Sequence, residues 1–208
     1  MKMETDAQME DWAATNQSAL MVELAALSRL LRGETDGPEA PAEMSPSPTL
    51  DALCAMFGLS EFERRVVLLC AGMELDGDFG NCCAAALGSS GNPWPSFGLA
   101  LAAFPNAHWD ALAHQAPLRH WRLIETIGNG PLVASRLLID ERILFFLTGV
   151  GQFDERLVSL VEPVRGAAEL PASQHPLVVR LSATWKAAFA ANRTLPAVQL
   201  CGSDLSGK

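Results

Sequence analysis

A chain of 208 residues that is 49% apolar and 19% charged has the composition of a globular protein with one medium domain or two small ones. Its apolar runs are far shorter than the roughly 20 residues of a membrane helix, and its N-terminus lacks the basic and apolar regions of a signal peptide. We therefore expect a cytoplasmic protein with no membrane span. The net charge of −9 disfavours nucleic acid as a partner, because binding to phosphates rests on Lys and Arg.

The N-terminal segment, residues 1–32, is predicted to contain a helix over 8–32. Apolar residues between Leu20 and Leu31 have helical spacing, and Gly33 stands where a helix C-cap is expected. Residues 33–48 contain four prolines and one large apolar residue, Met44, which is typical of a linker. The helix therefore either packs on its own domain or serves a neighbouring subunit.

Residues 49–164 are predicted to form one mainly α-helical domain with a small β-hairpin. A short helix at 50–59 is closed by Gly58, and Ser60 with Glu63 forms a capping box that opens a buried helix through residue 73. Further helices are predicted at 76–87, at 97–104 behind a Pro-Ser cap, and at 108–114.

The pattern then changes to that of strands. Residues 121–127 and 132–139 are predicted to pair around a Gly-Asn-Gly-Pro turn, and Asp140 opens another helix through residue 147. Several helices followed by a two-stranded hairpin are the arrangement of a winged-helix domain. An amphipathic piece at 151–164 completes the predicted domain.

Residues 165–176 are predicted to be a second linker, and a helix at 177–191 and a short strand at 197–201 follow. The strand runs directly into a match to G-x-x-x-x-G-K, the phosphate-binding loop. In this loop the glycines let backbone N–H groups surround the phosphates, and the lysine reaches the β and γ oxygens. The predicted nucleotide-binding residues are Gly202, Ser203, Asp204, Leu205, Ser206, Gly207 and Lys208.

Residues 177–208 are therefore expected to be the start of an α/β P-loop ATPase domain that is cut at the Walker A lysine. The Ser or Thr that holds Mg²⁺, the acidic strand and an arginine finger would all lie beyond Lys208. We expect ATP and Mg²⁺ to be cofactors of the full-length protein, which is an ATPase, but expect these 208 residues to bind them poorly and to hydrolyse no ATP. No catalytic residue and no metal ligand is predicted within them.

Five segments together resemble the N-terminal region of bacterial winged-helix AAA+ ATPases associated with contractile injection systems. These segments are FGLSEFER at 57–64, LLCAGMELD at 68–76, PSFGLAL at 95–101, PLRHWRL at 117–123 and IDERIL at 139–144. The resemblance covers roughly residues 50–208. It implies an AAA+ core that begins after the second linker, a homo-oligomeric ring, and a role in assembling or remodelling an injection particle. The present chain would be its adaptor or regulatory part and would contact protein partners or neighbouring subunits.

A DNA-binding winged-helix transcriptional regulator is the alternative. Its support is a group of cationic or titratable side chains near the predicted wing: Arg119, His120, Arg122 and Arg136. The opposing expectation is that these arginines stay solvated or pair with carboxylates, namely Glu125, Asp140 and Glu141. The net charge of −5 over residues 49–166 favours this opposing expectation over DNA binding.

The remaining chemistry-bearing residues are expected to be structural. The cysteines have spacings that suit no zinc site and are interpreted as reduced thiols, mostly in packing roles: Cys54, Cys70, Cys82, Cys83 and Cys201. His108 and His120 are interpreted as structural histidines. Four aromatic residues among apolar neighbours are expected in the core: Trp94, Phe97, Trp109 and Trp121.

Overall fold

The computed structural model describes residues 2–34, 48–88, 93–150, 160, 171–191 and 193–199, with side chains from residue 11 onward. The chain divides into two compact units, Met1–Leu157 and Val158–Lys208. The described elements of the first unit are α1 (Lys2–Leu31), α2 (Thr49–Phe57), α3 (Glu61–Leu75), α4 (Phe79–Ala86), α5 (Phe97–Ala103), α6 (Pro117–His120), β1 (Ile124–Ile127), β2 (Arg136–Ile139) and α7 (Glu141–Leu147).

Helix α1 packs on the core of the first unit through a leucine stripe. The stripe consists of side chains that are 4% exposed or less: Leu20, Leu24, Leu27 and Leu31. Their spacing places them on one helix face, which contacts α3 and α4. Gly33, at φ 76°, ends the helix as predicted, in a Schellman motif where the N–H of Glu34 donates to the carbonyl of Arg29. Of the two roles left open for this helix, packing on its own domain is the one observed.

Helix α3 is the centre of the core. The predicted capping box is confirmed, since the Ser60 hydroxyl accepts from the Glu63 N–H at 3.2 Å and the Glu63 carboxylate accepts from the Ser60 N–H at 2.9 Å. The predicted C-cap of α2 is also present, with Gly58 at φ 63°. Along α3, a continuous run of side chains is buried: Val66, Val67, Leu68, Leu69, Cys70 and Ala71. A run that is buried on every helix face requires neighbours all around it, as expected for a central helix.

Helices α4 and α5 complete the helical layer. Gly72 of α3 allows the buried ring of Phe79 to approach closely, because a Cβ at Gly72 would lie 2.6 Å from that ring. Helix α4 begins at Phe79, three residues later than the predicted start. Helix α5 begins as predicted, with the Ser96 hydroxyl accepting from the Leu99 N–H at 3.1 Å.

The segment between α5 and the hairpin differs from the prediction. A 3₁₀ turn, Trp109–Leu112, stands where a helix over 108–114 was predicted, and the sequence analysis missed α6. Pro117 explains the second difference. It holds Ala116 in an extended conformation, at ψ 149°, and it fits the first position of a new helix.

The hairpin is confirmed, with β1 and β2 antiparallel and Ile124 opposite Ile139. The second strand is shorter than predicted, because Leu132–Ala134 form a 3₁₀ turn. In that turn the Ser135 N–H and hydroxyl both donate to the Pro131 carbonyl at 3.1 Å, so these groups bond locally and not across a ladder. On its other side, β2 pairs with a short extended piece, since the Leu137 N–H donates to the Pro95 carbonyl at 2.9 Å.

A buried polar cluster, the Asn16 cluster, joins three helices. The Thr49 N–H donates to Asn16 Oδ1 at 2.9 Å, Asn16 Nδ2 donates to the Leu147 carbonyl at 3.0 Å, and the Thr49 hydroxyl donates to the same carbonyl at 2.7 Å. These bonds fix the middle of α1, the start of α2 and the end of α7. Helix α7 itself begins as predicted, with the Asp140 carboxylate accepting from the Arg142 N–H at 2.9 Å.

The described part of the second unit contains helix α8 (His175–Ala190), which confirms the helix predicted over 177–191. Trp185 Nε1 donates to the Pro196 carbonyl at 3.2 Å and connects α8 to the segment that follows. Residues 197–199 have no regular secondary structure, so the strand prediction is wrong for them. A strand needs a neighbouring strand to satisfy its backbone N–H and C=O groups, and no such neighbour is present among residues 171–191 and 193–199.

Candidate functional site

The predicted phosphate-binding loop, residues 202–208, lies outside the described residues. The same holds for Cys201 and for most of the predicted amphipathic piece at 151–164. The nucleotide site therefore stays a prediction from residue types and spacing. The sites for which geometry is available are on the first unit.

The wing residues that the sequence analysis grouped are not brought together. Arg136 lies opposite Ile127, at the wing end of the hairpin. Arg119 and His120 belong to α6, and Arg122 precedes β1, so these three lie at the opposite end of that strand. Four strand residues separate the two ends by about 13 Å, so the four side chains form no single cationic surface.

Asp140, one of the carboxylates expected to pair with the wing arginines, pairs instead with Arg142, whose Nε lies 2.7 Å from Asp140 Oδ1. This contact, which was not predicted, holds the pKa of Asp140 below its ordinary value through the Arg142 hydrogen bond, against the opposing effect of burial. Arg119 turns inward, donating to the Leu112 carbonyl at 2.8 Å and contacting His114 Nε2 at 3.0 Å.

Three further arginines of the first unit, Arg32, Arg64 and Arg65, pair with neighbouring carboxylates. The described ion pairs are Arg32–Asp78, Arg64–Glu23, Arg64–Asp51 and Arg65–Glu61. Arg122 and Arg136 make no ion pair with the described part of the chain, and both are exposed. Within the described residues, Arg122 and Arg136 therefore lie apart, at the two ends of β1.

The described segment before the hairpin lacks a long recognition helix. In a helix-turn-helix protein that binds DNA, the second helix of the pair lies in the major groove. Here the pair would be α5 and the segment that contains the 3₁₀ turn and α6. Helix α6 has four residues and is about 6 Å long, which is one turn against a groove about 12 Å wide. This element offers few side chains to base edges.

The same segment instead carries a partly exposed aromatic surface, the aromatic patch, formed by Phe57, His120 and Trp121. The Trp121 ring lies 4.7 Å from the His120 ring, edge to face, and 5.7 Å from the Phe57 ring. Trp121 is 55% exposed. The patch joins the C-terminal ends of α2 and α6.

The core prediction is right for Phe97 and wrong for Trp109 and Trp121. Phe97 is fully buried, Trp94 is half-buried, and Trp109 is 68% exposed. Trp109 and Trp121 each stand at one end of a short helical turn, so neither belongs to a face that packs on the core. A sequence signal for Trp121 exists in its polar neighbours, His120 and Arg122, which flank it on both sides.

The cysteines confirm the interpretation as structural thiols within the described residues. Cys70, Cys82 and Cys83 are free and buried. Burial raises the pKa of the Cys83 thiol to about 12 and that of the Cys70 thiol further still, and the neighbouring cysteine adds to each effect. A thiol that stays protonated at neutral pH is a poor nucleophile and a poor metal ligand.

Other kinds of site are not found in the described residues. No group of three or more His, Cys, Asp or Glu side chains there is arranged to hold a metal ion. Within the same ranges, no helix has the length and apolar character needed to cross a bilayer. His108 is held by the Asn106 carbonyl at 3.1 Å and lies against the Phe62 ring, as expected for a structural histidine.

Helices followed by an antiparallel hairpin, with a short extended piece added to β2, define a winged-helix class of domain. A family model described as "Winged helix domain, variant" matches residues 1–161. The chain therefore belongs to this variant winged-helix family, and the match includes α1. Comparisons with curated proteins and with solved structures give no match.

Proposed function

We propose that this chain is the N-terminal adaptor or regulatory part of an AAA+ ATPase, and that its winged-helix domain binds a protein. The ATPase would assemble or remodel a protein complex such as a contractile injection particle, working as a homo-oligomeric ring. The partner of the winged-helix domain would be another protein or a neighbouring subunit.

The observation that carries the protein-binding part is the aromatic patch. The patch lies at the end of α6, where a DNA-binding member of this class would have its recognition helix. Helix α6 is too short for that role. Exposed Trp side chains are enriched at protein interfaces, whereas they contribute little to phosphate binding. The net charge of −9 supports the same choice.

The ATPase part is supported by the sequence of residues 202–208 and by the character of α8. Helix α8 exposes several large apolar side chains in the described part of the second unit: Val178, Val179, Trp185 and Phe189. An apolar helix surface of this kind fits an element that packs inside a larger domain. When bound, ATP and Mg²⁺ would supply the phosphoryl chemistry, and Lys208 with the backbone of the preceding loop would hold the phosphates.

The reading frame beyond codon 208 tests the ATPase part. We expect a Ser or Thr next, followed within about a hundred residues by an apolar strand that ends in Asp-Glu. In the full-length product, Lys208→Ala should abolish ATP hydrolysis, measured as phosphate release, while Lys186→Ala on α8 should retain it. A stop codon directly after Lys208 would contradict the ATPase part and leave a binding module.

The second candidate function is a DNA-binding transcriptional regulator. The observation in its favour is that Arg122 and Arg136 are exposed and free of ion pairs within the described residues. This function requires salt-dependent affinity for duplex DNA, because phosphate binding releases counterions.

A further inference from the structure

We propose that the aromatic patch, together with Arg122, binds an acidic segment of a partner protein that also carries apolar side chains. This inference rests on the proposed protein-binding function and deepens it by naming the chemistry of the partner.

The patch has the composition and geometry of an anchor site. Trp121 is held against Phe57 and His120, so its ring is positioned before any partner arrives. A preordered Trp loses little conformational entropy on binding, and such residues dominate interface energetics.

The chain segment that carries Trp121 is basic, whereas the chain as a whole is acidic. Residues 111–124 contain no Asp or Glu but contain Arg119, Arg122, His114 and His120. Arg119 is committed to internal contacts. Arg122 is exposed and makes no ion pair with the described residues, so its guanidinium is available to a carboxylate.

The backbone of Arg122 is the least expected feature of the site. Arg122 lies at φ 52°, in the left-handed region, as the C′ residue of a Schellman motif that ends α6. The Leu123 N–H donates to the Leu118 carbonyl at 2.9 Å, which fixes this geometry. Glycine is preferred at C′ because any other side chain is strained there. An Arg side chain at this position therefore points to a role outside folding.

These observations favour an acidic peptide over nucleic acid. A peptide with alternating carboxylate and apolar side chains would place an apolar group on the paired rings of Trp121 and Phe57 and a carboxylate on Arg122. A nucleic acid needs several cations on adjacent phosphates, whereas the patch offers one exposed arginine without an ion pair among the described residues, which suits a single carboxylate.

Peptide display on the 208-residue chain tests the proposal, with soluble binding of the enriched peptides measured by fluorescence anisotropy. We expect enriched peptides that combine Asp or Glu with Leu, Phe or Trp. Trp121→Ala should weaken their binding about tenfold or more, and Arg122→Gly should weaken it several-fold. The matched control Trp109→Ala, which removes an exposed Trp outside the patch, should bind as the original chain does.

Arg122→Gly separates binding from folding. Because glycine relieves the left-handed strain, this variant should melt at the same temperature as the original chain or higher, while it loses affinity. Loss of affinity with a lowered melting temperature would contradict the proposal, since it would indicate a folding role for Arg122.

Other results would also overturn it. Enriched peptides that are neutral or basic, or that bind both patch variants normally, would reject this patch but leave protein binding elsewhere on the domain intact. The absence of any enriched peptide would reject the patch as a peptide site. Binding of a single-stranded oligonucleotide that is lost in Trp121→Ala would reject the acidic partner and the protein-binding function together.

Discussion

Gly72 of α3 has no space for a side chain, because a Cβ there would lie 2.6 Å from the buried ring of Phe79. We expect Gly72→Ala to lower the free energy of unfolding by about 1–3 kcal/mol, since the ring has no exposed position to move into. At Gly77 a Cβ would meet no atom within 4 Å, so Gly77→Ala should change it by less than about 0.5 kcal/mol. Urea denaturation measures both, and equal effects would contradict the packing described.

Asn16 is a polar side chain that the core requires. Asn16→Ala would leave the Thr49 N–H without its acceptor in a buried place. The expected cost is about 1–3 kcal/mol of unfolding free energy, against little change for Gln17→Ala, which removes an exposed neighbour. A melting temperature for Asn16→Ala equal to that of Gln17→Ala would show that the Asn16 cluster contributes nothing.

Asp140 gives the first unit a defined acid dependence. Its pKa is lower in the folded chain than in the unfolded chain, so the unfolded state binds the proton more readily. The contribution of Asp140 to stability is therefore present above its unfolded pKa of about 3.9 and is lost as the pH falls through the folded value. Asp140→Asn should make the unfolding free energy depend less on pH below about pH 4. Urea denaturation at a series of pH values measures this dependence. If the variant and the original chain lost unfolding free energy equally on acidification, the Asp140–Arg142 contact would be contradicted.

At the scale of elements, α1 is part of the winged-helix core. Leu24 is buried in the stripe that faces α3 and α4, whereas Met21 on the same helix is exposed. We expect Leu24→Ala to cost about 2–5 kcal/mol of unfolding free energy and Met21→Ala to cost much less. If both substitutions were equally mild, α1 would not be packed as observed.

The elements that sequence predicts best are those with local chemistry at their ends. The Ser60–Glu63 capping box, the Gly33 and Gly58 C-caps and the Asp140 N-cap all depend on residues within a few positions of one another. These signals are readable without knowledge of the fold, and the structure confirms each one.

The elements that sequence misses are decided by competition between local and distant bonds. Residues 132–134 have strand character, but Ser135 bonds back to Pro131 and a 3₁₀ turn forms. Trp121 is a large apolar residue of the kind expected in a core, but α6 ends at His120 and Trp121 is left at the surface. The aromatic patch joins residues about 60 positions apart, and that contact depends on the packing of α2 beside α6.

For the whole molecule, the distribution of charge separates the two candidate functions of the winged-helix domain. Described carboxylates neutralise Arg32, Arg64, Arg65 and Arg142, and the free cations Arg122 and Arg136 lie at opposite ends of β1. A DNA-binding surface needs several cations that act together on adjacent phosphates. Among the described residues, this distribution of charge supports the proposed protein partner over duplex DNA.

Duplex-DNA binding by the 208-residue chain, measured by fluorescence anisotropy at salt concentrations between about 50 and 200 mM, tests this conclusion most directly. Protein binding by the winged-helix domain predicts no saturable affinity even at the lowest salt. Tight binding that falls steeply with salt, and that is lost in both Arg122→Ala and Arg136→Ala, would contradict it and identify a DNA-binding regulator.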